Sequence, residues 1–78
     1  MTSVEELRDN AICLLKEAGF DSDLYIIKMH ESSISIHFDD PGAVVYFKGE
    51  VENCEWAEEV IFESRRDGKR HVACLQFW

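Results

Sequence analysis

The chain has 78 residues, with 16 Asp and Glu against eight Lys and Arg for a formal charge of −8, and 46% of its residues are hydrophobic and 12% aromatic. That is one domain, too apolar for disorder, burying roughly 60 to 65% of its unfolded surface on folding. No apolar run approaches the roughly 18 residues of a membrane span, Met1-Thr2-Ser3-Val4-Glu5-Glu6 lacks the basic and apolar regions of a signal peptide, and the acidic excess repels nucleic acid and anionic membrane; a cytoplasmic protein is expected.

Ser3 followed by Glu6 is the spacing of a capping box. Behind it Val4, Leu7, Ala11, Leu14, Leu15 and Ala18 recur at helical spacing, Gly19 supplies a left-handed stop, and Phe20 is placed to fold back on the last turn. The spacing predicts an amphipathic helix over about 4–18. Glu5 and Glu6 lie in its first turn, where the helix dipole favours them.

After Asp21-Ser22-Asp23 the apolar period changes to two. Turn residues Glu31-Ser32, Asp39-Asp40-Pro41-Gly42, Glu52-Asn53 and Asp67-Gly68 divide the rest into strands over about 24–30, 33–38, 43–51, 55–65 and 70–77. Centring each hairpin on its turn pairs Met29 with Ile34, Ile27 with Ile36 and Tyr25 with Phe38. The next turn pairs Phe38 with Ala43, Ile36 with Val45 and Ile34 with Phe47. The last two pair Val45 with Val60 and Ala43 with Phe62, then Phe62 with Ala73 and Val60 with Leu75. One apolar face results, and the expected fold is α+β: an N-terminal helix packed on a five-stranded antiparallel meander.

The uncovered sheet face then carries a row Ile26, His37, Val44, Ile61 and Cys74 beside a row Lys28, Ser35, Tyr46, Glu59 and Gln76. An apolar row bordered by a polar one reads as a protein-binding patch or homodimer interface, with Ile26, His37, Val44, Tyr46 and Ile61 as its contacts. Sheet curvature, or Phe77-Trp78, is the other cover for that row.

Cys13, Cys54 and Cys74 match no CxxC pattern and read as buried or half-buried apolar residues in reduced form. His30 and His37 fall on one face but well apart along a hairpin, and His71 on the opposite face, so no convergent histidine site is expected. Asp39-Asp40 reads as turn chemistry, and Glu58 and Glu59 point to opposite faces of a strand, which leaves neither pair placed for acid–base work. GxGxxG, Walker, HExxH, GxSxG and zinc spacings do not occur. An enzyme is not expected, nor a metal or cofactor.

The charge is unevenly placed. Glu50, Glu52, Glu55, Glu58, Glu59 and Glu63 occupy residues 50–63 without a base, whereas residues 64–78 sum to +3 through Arg65, Arg66, Lys69 and Arg70 against Asp67. The basic tip, where Arg65 would oppose Arg70, reads as a solvated hairpin end or as a grip for phosphate of a nucleic acid or for an acidic segment, a second copy's acidic run included. The acidic run reads as an edge that discourages aggregation or as carboxylates that occupy Lys and Arg side chains built to hold phosphates.

In its Ser3-to-Gly19 helix, its meander signalled by Glu31-Ser32, Asp40-Pro41-Gly42 and Asp67-Gly68, and its carboxylates from Glu50 to Glu63, the chain resembles the small acidic inhibitor proteins of phages and mobile elements, several anti-CRISPR proteins among them. The resemblance implies a non-enzymatic DNA mimic in the host cytoplasm that blocks the DNA site of a nucleic-acid-binding complex. Its contacts would be Asp39, Asp40, Glu50, Glu52, Glu55, Glu58, Glu59 and Glu63, with no direct nucleic-acid or membrane partner. The alternative is a homodimeric structural or adaptor protein that uses the open sheet face.

Overall fold

The computed structural model describes residues 3–77. Helix α1 (Val4–Glu17) begins where Ser3 Oγ accepts the Glu6 N–H at 3.2 Å, and it turns Leu7, Ala11, Leu14 and Leu15 inward. It ends as expected: Gly19 takes φ 89°, and the Phe20 N–H donates to the Leu15 carbonyl at 2.9 Å.

Strands β1 (Tyr25–Met29) and β2 (Ser33–Phe38) form the expected hairpin. Tyr25 pairs with Phe38, Ile27 with Ile36 and Met29 with Ile34, and the His30 N–H to Ser33 carbonyl bond of 2.8 Å closes the turn.

The next segment corrects the expectation. Residues expected as a strand over 43–51 lie in helix α2 (Pro41–Glu52). Asp40 Oδ1 accepts the Gly42 N–H at 2.9 Å and Pro41 occupies the first turn, so the supposed hairpin turn is a helix cap. Ala43, Val44, Phe47 and Val51 are buried at helical spacing, while Val45, inward in the strand reading, is 72% exposed. The β-branched and aromatic run Val44-Val45-Tyr46-Phe47 favours a strand locally, and the tertiary contacts override it.

A short 3-10 helix, Glu55–Glu59, takes the place of the start of the expected 55–65 strand; strand β3 is Val60–Asp67 and β4 is Arg70–Phe77. Gly68, at φ 63°, turns the hairpin between the paired Asp67 and Arg70. The register brings Phe62 against Leu75 and Val60 against Phe77, two residues from the expected pairing. A shift of two keeps the apolar residues on one face.

The sheet has four strands in the order β1-β2-β4-β3, not five in a meander. Helix α2 carries the chain from β2 to the far edge, so β3 runs parallel to β2, and β4 fills the gap antiparallel to both. Both helices pack against the sheet, α1 near β1 and β2, α2 near β2 and β4. Ile34, Ile36, Phe38, Ala73 and Leu75 meet Leu7, Leu15, Phe47 and Val51 in the core between the layers.

Candidate functional site

Cross-strand pairing places Ile26, His37, Val72 and Arg65 in one row of the open sheet face, and Lys28, Ser35, Cys74 and Glu63 in the next. The expected apolar row is therefore not there. Val44 belongs to the core at 6% exposure, and Tyr46 lies on α2 with its ring edge-on to Phe20 at 6.0 Å. Of the five residues assigned to this face, Ile26, His37 and half-buried Ile61 remain on it. Phe77 packs toward the core instead of covering the face, and Trp78 lies outside the described residues.

His30 and His37 do converge, contrary to expectation. Ser35 Oγ lies 3.0 Å from His30 Nε2 and 3.4 Å from His37 Nε2, because the tight turn returns β2 beside the end of β1. The hydroxyl bonds both rings, and the tautomer of each ring sets which group donates. Ser35 is 2% exposed and His37 6%, while His30 is exposed just after β1. Burial first, then Lys28, with Arg70 and Arg65 adding to both and Asp67 opposing, holds the His37 pKa below its ordinary 6.5. His71 stands on the helix side in a groove with Pro41, Val44, Val45, Ser64 and Arg65. Among the described residues no three His, Cys, Asp or Glu are grouped to hold a metal.

The acidic candidates separate into three places. Asp40 caps α2, and Asp39 lies 3.8 Å from Arg70 Nε, so both act locally at the helix start. Glu63 lies on the open face opposite Cys74. Glu50 and Glu52 fall in the last turn of α2, and Glu55, Glu58 and Glu59 on the 3-10 helix that follows. Glu17, at the end of α1, joins this group. It and Glu50 add to burial, the larger cause, in pushing up the Cys54 thiol, whose Sγ donates to the Glu50 carbonyl at 3.4 Å. Cys54 and Cys74 are half-buried as expected, but Cys13 is exposed on the outer side of α1.

Half-buried Trp56 lies between Glu55 and Glu59 in the wall of a shallow depression. An indole face bordered by carboxylates suits a guanidinium or ammonium group. Neither Trp56 nor Glu17 was singled out in the sequence, since only the fold shows that they border the acidic run.

The basic hairpin tip lies at the opposite end of α2. Arg70 bridges to Asp39 just before the helix, and Arg65 lines the groove with Pro41 and Val45. The expected Arg65–Arg70 opposition does not occur, because Arg65 pairs with Val72 and Arg70 with Asp67. The start of α2 thus has mixed charge, with Asp39, Asp40 and Asp67 among the bases of the hairpin tip, and its end gathers carboxylates.

These elements define a two-layer α+β domain with carboxylates gathered where α2 ends. No protein-family model, characterised protein or solved structure matches it. Among the described residues, no helix is long and apolar enough to cross a membrane.

Proposed function

We propose that the chain is a non-enzymatic binding inhibitor whose acidic end, Glu50, Glu52, Glu55, Glu58 and Glu59 with Glu17, occupies the basic nucleic-acid-binding site of a protein complex in the manner of small phage-encoded DNA mimics. The observation that carries this reading is the placement of the carboxylates. Glu50 and Glu52 sit in the last turn of α2, which has no basic residue, so they add to the negative end of the helix dipole where a base would offset it. Such an arrangement costs the fold and deepens the negative potential at one end. A basic partner is drawn to that end from a distance. Trp56 gives an arriving Arg or Lys an aromatic face as well as a charge.

The test is affinity capture of the tagged protein from a bacterial lysate at low salt and at about 0.5 M salt, where the Debye length is roughly 4 Å. The parent chain is compared with a variant carrying Glu55→Lys, Glu58→Lys and Glu59→Lys. A nucleic-acid-binding complex recovered by the parent, weakened by salt and lost with the charge-reversed variant at unchanged circular dichroism, is the expected result. Capture indifferent to both salt and charge reversal overturns the proposal.

A further inference from the structure

The two edges of the sheet are built differently. β3 closes one side with Glu63, Ser64, Arg65, Arg66 and Asp67 all exposed, and charged side chains of this kind keep a free edge from pairing. β1 closes the other side with one charge, Lys28, among Tyr25, Ile26, Ile27 and Met29. Among the described residues, the large apolar side chains left exposed are Leu24, Ile26, Met29, Val45 and Tyr46, and the first three lie on β1 or directly before it.

The backbone of β1 is as open as its side chains. The His30 N–H donates to the Ser33 carbonyl at 2.8 Å, so His30 faces β2. Bonding alternates along an antiparallel ladder; Lys28 and Ile26 therefore also face β2, whereas Tyr25, Ile27 and Met29 turn their N–H and C=O groups away from it. β1 is the last strand on its side, so no ladder meets those groups. Among the described residues, no turn or loop backbone bonds them either.

An outward row of this kind takes an extended strand, and its symmetry says whose. The row is centred on Ile27, with Tyr25 two residues before and Met29 two after. A second β1 lying antiparallel, Ile27 opposite Ile27 and Tyr25 opposite Met29, lets all of these residues in both copies exchange their bonds. Slipping the pair by two residues sets Met29 against Asp23 of the 3-10 turn, or Tyr25 against Glu31 of the hairpin turn, and neither of those is extended. Slipping by one puts the core side of one copy on the open side of the other. In the centred register Ile26 also lies against the stem of Lys28 on the open side.

We propose that β1 is a homodimer edge at which two copies pair antiparallel about a two-fold axis at Ile27, joining their sheets into one with the helices of both on the same side. A five-residue strand is about 17 Å long, which limits the contact to the small end of specific interfaces, so the dimer is weak. Charge opposes it: each copy carries −8, and Asp23 of one comes near Glu31 of the other. Salt therefore strengthens this contact, whereas it weakens the one proposed for the acidic end.

Sedimentation velocity of the full chain from about 10 to about 500 μM spans the affinity such an edge supports. The expected result is a concentration-dependent shift from monomer to dimer, stronger at about 0.5 M salt than at low salt. Over the same range, amide exchange read by NMR slows at Tyr25, Ile27 and Met29 and stays as it was at Ile26 and Lys28, which β2 already protects. Met29→Pro removes an outward N–H at an exposed position without touching the β2 ladder, and it weakens the dimer at least about tenfold with the circular dichroism unchanged. Met29→Ala, which keeps that N–H, weakens it less. A monomer throughout the range at about 0.5 M salt overturns the proposal, as does a dimer in which the Tyr25, Ile27 and Met29 amides exchange as fast as in the monomer.

Discussion

At His37 a single proton is coupled to folding. The ring is 6% exposed and its Nε2 faces the Ser35 hydroxyl; Lys28 from β1, Arg65 from β3 and Arg70 from β4 oppose its protonation, and Asp67 from β3 favours it. Its folded pKa lies below the ordinary 6.5 of the unfolded chain. Between those two values the unfolded state binds a proton that the folded state does not, so stability rises with pH through that window. In the other direction, stability is full above 6.5, declines as pH falls through it, and levels off below the folded pKa. Urea midpoints measured from about pH 7.5 to about pH 5 should therefore fall for the parent chain and fall less for His37→Gln, which has no ring to protonate. Equal declines in the two proteins would show that His37 is not the group responsible.

At the scale of elements, the start of α2 separates two acidic neighbours that look alike in sequence. Asp40 accepts the Gly42 N–H at 2.9 Å, and its replacement by alanine should cost about 1 kcal/mol. Asp39 has only a 3.8 Å approach to Arg70 with its side chain 83% exposed, so Asp39→Ala should cost well under about 1 kcal/mol. Chemical denaturation of both variants decides, and equal losses would contradict the cap. The same residues mark where the sequence was ambiguous. The Ser3 cap, the Gly19 stop and the β1–β2 pairing rest on contacts a few residues apart and were legible. Ala43 and Phe47 fit a period of two as well as one of 3.6, and Asp-Pro-Gly opens a helix as readily as it turns a hairpin. Once 43–51 was read as a strand, the meander followed. The insertion of β4 between β2 and β3 depends on where α2 sets the chain down, which no local pattern records. The acidic residues of the candidate site were legible by name, but their division into a helix cap, a sheet-face residue and one acidic end was not.

At the scale of the molecule, the sheet is held as one body by an aromatic path. Phe38 on β2 meets Tyr25 at 6.4 Å, Phe20 at 5.8 Å and Phe47 at 6.0 Å, and Phe47 in turn meets Phe62 on β3 at 6.1 Å. Phe47 therefore spans β4 from above and joins strands that are not neighbours in the sheet. It is 1% exposed. A domain of this length has a total stability of about 4 to 12 kcal/mol, and Phe→Ala in a core costs about 3 to 5 kcal/mol. One truncation is comparable with the whole. Phe47→Ala should thus lose its cooperative thermal transition or show a midpoint near or below 37 °C, whereas Phe47→Leu, which keeps most of the volume at a cost of about 1.5 kcal/mol or less, should melt cooperatively. Thermal melts followed by circular dichroism separate these outcomes. Two equally mild losses would mean that β4 alone holds β2 and β3 together. In that case α2 would be a covering element and not the brace of the sheet.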